Sequence, residues 1–263
     1  MLPTPGYARA AGPLAIAHRG GAALAPENTL AAFARATALG FRYLETDVRL
    51  TRDGELVCFH DERLDRVTEA SGPVGRFSLR QLQELRVGGE PICTLREALA
   101  AFPAANFTVD LKDQAAIAPL AGVLADPGIA QRVCVAGAWD GWLGQLRDLA
   151  PHVHTALGWR SLTGLISSSR TRLPIRWRGA PARYAHVPSR LGRVAIFADG
   201  LVARAHAAGV QVIVWTIDDP ATMHRLLDVG VDGIITDRPD LLREVFIARG
   251  LWEPMAAEPI CVG

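Results

Sequence analysis

The chain alternates short β-branched or apolar runs with longer stretches of Ala, Leu and Arg at helical spacing, and few folds accept that alternation repeated many times over. The runs at 14–18, 43–48, 107–112, 132–136, 153–157, 184–187, 210–216 and 233–236 read as strands. Helical patterns lie between them at 28–38, 95–101, 114–124, 141–149, 197–208 and 220–228. Gly40, Gly209 and Gly230 follow three of these helices, where a left-handed residue ends a helix. Eight strand–helix units predict an α/β fold, a single (β/α)8 TIM barrel. The segment 161–182 is rich in Ser, Arg, Gly and Pro and predicts only a poor helix. A length of 263 residues suits one such barrel, typically of about 250 residues. The expected division is an N-terminal extension over 1–13, the barrel over 14–248 and a C-terminal tail over 249–263.

One feature interrupts the alternation. After the second strand come Arg52-Asp53-Gly54 and then 55–60, and Asp-Gly between two alternating runs predicts a β-hairpin. With Asp53 and Gly54 as the two turn residues, His60 falls opposite Asp47 and on the face of Glu45; a longer turn changes that register. The residues from 62 to 91 then form an insertion before the third strand, longer than an ordinary βα loop and expected to act as a lid or rim.

The charge balance, 28 basic against 27 acidic residues, gives no reason to expect a nucleic-acid partner. Locally it is more informative. Lys112 is the single lysine among the basic residues, where a compact point charge could be wanted rather than a planar fork. The stretch 151–198 carries eight arginines and no acid, which reads either as an anion-facing surface or as solvated loop, the second being favoured. Cys58, Cys93, Cys134 and Cys261 have no metal-finger spacing and read as packing residues in a reducing compartment without disulfides. No run is apolar enough to cross a bilayer, and the first 13 residues lack the pattern of a leader, so a cytoplasmic location is expected.

Barrel enzymes carry their reactive groups at the C-terminal ends of the strands. His18 and Arg19 end the first strand here, Glu45 and Asp47 lie near the end of the second, His60 and Asp61 follow the hairpin, and Asp110 and Lys112 end the third. Carboxylates at Glu45, Asp47 and Asp110 facing one mouth repel one another unless a cation lies among them, and an all-oxygen set suits Mg²⁺ or Ca²⁺. Two histidines beside such an ion fit phosphodiester cleavage, in which one group takes a proton from the nucleophile and another gives one to the leaving alkoxide. Arg19 and Lys112 would neutralise the non-bridging oxygens. The other histidines, His152, His154, His186, His206 and His224, sit in no comparable cluster and read as ordinary structural residues.

The ordered set Ala17-His18-Arg19-Gly20, Pro26-Glu27-Asn28-Thr29, Glu45-Thr46-Asp47-Val48, Phe59-His60-Asp61, Val214-Trp215-Thr216 and the closing Asp232 to Pro239 run resembles the glycerophosphodiester phosphodiesterase family. The resemblance spans 14–242. It implies a divalent metal, Mg²⁺ or Ca²⁺, on Glu45, Asp47 and Asp110, acid–base or nucleophilic work by His18 and His60, and a phosphate-contacting role for Lys112. It further implies hydrolysis of a small-molecule glycerophosphodiester to sn-glycerol 3-phosphate and an alcohol, by way of a cyclic intermediate. The sequence departs from the family at the third carboxylate, where Glu-x-Lys is usual and Asp110-Leu111-Lys112 stands, one methylene shorter. Sphingomyelinase D-like enzymes look similar at that point, which keeps open a phospholipase D-like cleavage of lysophospholipids or sphingolipids at a membrane surface, the less favoured reading. Trp215 offers an apolar wall to the substrate, Asn28 is either an N-cap or a site residue, and Thr236 and Asp237 are expected to fix the last loop.

Overall fold

The computed structural model describes residue 7 and residues 12–171, 182–191, 194–195, 197 and 200–253. Eight parallel strands form the barrel: β1 (Leu14–Ala17), β2 (Tyr43–Leu50), β3 (Asn106–Leu111), β4 (Val133–Gly137), β5 (His154–Thr155), β6 (Tyr184–Pro188), β7 (Gln211–Trp215) and β8 (Gly233–Thr236). Each pairs with its sequence neighbours, and β1 pairs with β8. The seam between β5 and β6 is narrow, a single parallel bridge from Ala156 to Tyr184. All eight expected strands are present, within two residues at each end.

A helix follows every strand: α1 (Leu30–Ala38), α2 (Leu95–Ala101), α3 (Ile117–Leu124), α4 (Asp140–Leu149), α5 (Trp159–Thr171), α6 (Leu201–Ala207), α7 (Pro220–Asp228) and α8 (Pro239–Ala248). Local signals start several of them. Thr29 caps α1 by accepting the Ala32 N–H, Thr94 and Glu97 form a reciprocal capping box at α2, and Asp219 caps α7. The apolar faces of these helices and the outward residues of the strands make one continuous core.

The poor helix expected over 161–182 is corrected: α5 runs for 13 residues from Trp159, and the remainder up to 181 lies outside the described residues. Leu162 and Leu165 anchor its inner face, and the Asp140 carboxylate accepts the N–H groups of Arg160 and Ser161 from the neighbouring loop. A cap supplied by another loop leaves no local signature, and packing overrides the weak propensity of its serines. Of the arginine-rich stretch, Arg172, Arg176, Arg178 and Arg193 lie outside the described residues.

The hairpin is present, but its register is shifted by one residue from that expected. The strand Leu56–Cys58 pairs antiparallel with β2 as Val48 to Cys58 and Leu50 to Leu56. The turn takes three residues, Arg52, Asp53 and Gly54, closed by the Gly54 N–H to the Thr51 carbonyl at 3.1 Å. Gly54 adopts a φ of 87°, open to glycine at no steric cost. Asp47 therefore faces Phe59, not His60, across the ladder, with the Phe59 N–H donating to the Asp47 carbonyl. Beyond Cys58 the chain leaves the sheet, and the His60 carbonyl accepts a hydrogen bond from Arg49 Nε. The insertion that follows has its own small core of Val57, Phe59, Leu64, Val74, Leu82, Val87 and Ile92 beside the barrel rim.

Inside the barrel, Ile16, Tyr43, Cys134, Tyr184, Ile213 and Ile235 pack around Tyr7. Tyr7 belongs to the segment that precedes the first strand, yet it is completely buried. Its ring meets those of Tyr43 and Tyr184 edge-on, at 5.3 and 5.4 Å, and its hydroxyl bonds Thr108 Oγ1 at 2.5 Å. Cys58, Cys93 and Cys134 are buried free thiols, and Cys261 lies outside the described residues. No helix among the described residues is long and apolar enough to cross a membrane.

Candidate active site

At the C-terminal ends of the strands a cavity of about 250 Å³ opens, lined among others by His18, Arg19, Glu45, Asp47, His60, Asp110 and Lys112. These are seven of the eight site residues expected from the sequence, and the eighth, Trp215, lines the same cavity.

Strand alternation turns Glu45 and Asp47 to the same face of β2, and register sets Asp110 directly beside Asp47. Glu45 is buried and accepts the Arg19 N–H at 2.8 Å. Burial, then the charge of Asp47, push its carboxyl up to about 7. Asp47 behaves oppositely. Burial works against its charge, but Lys112 and then Arg19 hold its pKa below the usual range. The Lys112 ammonium is 2.9 Å from Asp47 Oδ1 and 2.6 Å from Asp110 Oδ2 and so bridges the two carboxylates. No group of three or more His, Cys, Asp or Glu side chains among the described residues is pre-assembled to hold a metal. The donor chemistry nevertheless fits a hard divalent ion. The charge that Glu45 resists in its buried position is what a bound cation would relieve, and all the candidate donors are oxygens.

Both histidines are held in the same way. His18 Nδ1 meets Asp237 Oδ1 at 2.7 Å, and His60 Nδ1 meets Asp61 Oδ1 at 2.6 Å. In each case the carboxylate accepts the Nδ1 proton and leaves Nε2 free to exchange one. Their acidities diverge. Burial opposes protonation of His18, but the charge of Glu45 and the bond to Asp237 raise its pKa above that of an ordinary imidazole. Burial dominates at His60, whose pKa lies below the ordinary value despite Asp47. Asp61 is fixed by Arg66 of the insertion at 2.5 Å, which also chelates Glu27 at 2.7 and 2.9 Å, and Glu27 in turn bonds Arg19. The insertion thus braces the reactive rim through one guanidinium.

Asn28 does not cap α1, which Thr29 caps; it holds Asp47 from behind the cavity lining. It is buried, donates from Nδ2 to Asp47 Oδ2 at 2.9 Å and accepts the Thr46 hydroxyl at 2.7 Å. Its φ of 58° and that of Arg19, 50°, place both in the left-handed region, and they are joined by the Asn28 N–H to the Arg19 carbonyl at 3.0 Å. Arg19 Nε makes an ion pair with Asp47 at 3.3 Å but no well-formed hydrogen bond, leaving a buried donor at the cavity edge. Gly20 fits against α1 only because it lacks a side chain, as a Cβ there would lie 2.7 Å from that of Ala32.

His186, read from the sequence as structural, lines the cavity from β6. Its Nε2 is buried with no hydrogen-bond partner among the described residues, and burial holds the ring down to about 4. The segments that follow β4 and β5 add Trp139, Trp142, Leu157, Trp159 and Leu162 to the lining, which no sequence motif marked.

The family model for the glycerophosphoryl diester phosphodiesterase family matches residues 18–241. A Mycobacterium tuberculosis protein named "Probable glycerophosphodiester phosphodiesterase 2" is 40% identical over 260 residues, covering 95% of this chain and 97% of its own. A glycerophosphodiester phosphodiesterase of Caldanaerobacter subterraneus is 32% identical over 244 residues, 87% of this chain and 96% of its own. Among solved structures, a phosphodiesterase of Oleispira antarctica in complex with the product sn-glycerol-3-phosphate superposes with a TM-score of 0.75 at 25% identity, covering 90% of this chain and 97% of that one.

Proposed function

The chain belongs to the glycerophosphoryl diester phosphodiesterase family and acts on glycerophosphodiesters, and from that premise we propose a metal-dependent hydrolysis to sn-glycerol 3-phosphate and an alcohol in which His18 and His60 divide the proton transfers. The observation that carries this reading is the paired arrangement of the two imidazoles, each tied by Nδ1 to a carboxylate, with acidities displaced in opposite directions. Groups whose environments push their pKa values apart are suited to opposite roles. His60, the less basic of the two, offers Nε2 as the base that takes the proton from a glycerol hydroxyl as its oxygen attacks phosphorus. His18, the more basic, gives its Nε2 proton to the departing alcohol. Reversing the two transfers with water opens the resulting cyclic phosphate.

Glu45, Asp47 and Asp110 would hold Mg²⁺ or Ca²⁺, which when bound supplies Lewis-acid stabilisation to the phosphoryl oxygens. Lys112, which burial opposes but Asp110 and Asp47 keep charged, and Arg19 face the same oxygens. Trp215 forms the wall nearest the end of β7. The product carried by the Oleispira antarctica relative supports the expected one here. The test is turnover of a panel of glycerophosphodiesters, glycerophosphocholine and glycerophosphoethanolamine among them, in the presence of Mg²⁺, Ca²⁺ or chelator, read as released glycerol 3-phosphate. Absence of that product with every ester and metal would sink the reading.

A further inference from the structure

The cavity lining has two chemically contrasting parts. One, from the ends of β1, β2 and β3 and the hairpin, holds the carboxylates, His18, His60, Arg19 and Lys112, and the other, from the segments that follow β4 and β5, holds Trp139, Trp142, Leu157, Trp159 and Leu162. Trp139 is 59% exposed and Trp159 37%, far more than aromatic side chains that serve only as core. They are not loosely hung. The Trp159 N–H donates to the Ala138 carbonyl at 2.9 Å, and the Asp140 carboxylate accepts the N–H groups that start α5, so the two loops are stitched together. Gly158 makes this approach feasible, because a Cβ there would lie 2.4 Å from the Asp140 nitrogen. Trp139 and Trp142 stand with ring centroids 6.1 Å apart, tilted by 56°.

We propose that this aromatic shelf is a binding subsite for the alcohol half of the diester, and that the preferred alcohol carries a hydrocarbon chain. The proposal rests on the phosphodiester reading of the same cavity. A diester spanning the cavity has a glycerol end whose hydroxyls need hydrogen-bond partners, and a surface of indoles and leucines leaves them unpaired. The glycerol therefore stays on the polar part and the other substituent lies across the shelf. That substituent is hydrocarbon and not a quaternary ammonium: Leu157 and Leu162 complete the shelf beside the indoles, and the carboxylate of the same segments, Asp140, is engaged with backbone N–H groups and not offered to a cation. Exposed, pre-positioned indoles beside a reaction centre bind a chain by removing apolar surface from water on both partners.

The experiment is kcat/KM for glycerophosphoethanol, -butanol, -hexanol and -octanol, each below its micelle-forming concentration, with glycerophosphocholine alongside. The expected result is a rise of roughly fourfold per methylene until the shelf is filled. In Trp139→Ala and Trp159→Ala the rise, normalised to each variant's own ethyl ester, flattens, and Trp159→Phe restores most of it. A flat chain-length profile in the unaltered protein overturns the proposal, as does a preference for the choline ester that the same variants abolish. If no ester is turned over, the phosphodiester reading fails. The shelf is then judged by quenching of tryptophan fluorescence: octyl phosphate must bind at least tenfold more tightly than ethyl phosphate, and equal affinity overturns it.

Discussion

His18 and Asp237 lie 219 positions apart and meet at 2.7 Å, because Ala17 of β1 pairs with Thr236 of β8 and the next residue of each strand turns to the same mouth. The closure of the barrel is thus what orients the proposed acid. Asp237→Asn removes one of the two carboxylates that raise the His18 pKa, the other being Glu45, so the protonated fraction falls at a given pH. The basic limb of kcat/KM should move to lower pH, and turnover at pH 8 should drop at least tenfold. A pH–rate profile of the variant beside the parent checks this, and superimposable basic limbs would remove Asp237 from the mechanism.

Replacing either imidazole acts on turnover and not on folding. His18→Ala and His60→Ala should each lower kcat by at least about a hundredfold, the usual range for one proton-transfer group. Thermal unfolding should stay within a few degrees of the parent, since both side chains reach the cavity and neither fills the core. Near-normal turnover in both variants contradicts the assignment.

Glu45 connects metal to stability. Its folded pKa, about 7, lies above that of an unfolded glutamate, so its ionised form costs stability and the metal-free protein loses stability as pH rises toward 7. Mg²⁺ or Ca²⁺ at a hundred times its Kd should add about 2.7 kcal/mol, roughly 5–10 °C in Tm for a chain of this size. Glu45→Gln should melt higher than the parent in chelator and gain little from either ion. Calorimetry with and without chelator decides, and equal metal-induced shifts in parent and variant would exclude Glu45 as a ligand.

His186 predicts a loss of stability in acid. Its folded pKa, about 4, is depressed, so between about 6.5 and 4 the unfolded chain binds a proton that the folded one does not. The loss on descending through that window should be on the order of 2–3 kcal/mol for this group. In His186→Leu that contribution should vanish. Urea titrations at pH 7 and pH 5 measure it, and an unchanged difference between the two pH values refutes it.

Much of this architecture was legible because its causes are local. Strand runs and the charged residues at strand ends are written in neighbouring positions, all eight strands fall within two residues of where pattern put them, and the expected site residues line one cavity, although His60 does not stand opposite Asp47 as the turn spacing predicted. What escaped was non-local. The cap on α5 comes from Asp140, the brace on His60 from Arg66, and the shelf from loops whose tryptophans have no motif. The hairpin register slipped because Asp-Gly is compatible with two- and three-residue turns, and in the three-residue turn Asp53 accepts the Leu79 N–H of the insertion, a contact that no local signal marks. Asn28 illustrates competing local and distant bonds: Thr29 took the cap and freed Asn28 for Asp47.

Tyr7 has a consequence for how the molecule comes together. Its hydroxyl partner, Thr108, also lines the cavity, while its ring needs Tyr43 and Tyr184 to be in position. Tyr7 must therefore wait for a residue made 177 positions later before its docking place is complete. During synthesis this part of the barrel interior stays unfilled until β6 has emerged, and loss of the Tyr7 side chain would act late in assembly and not early.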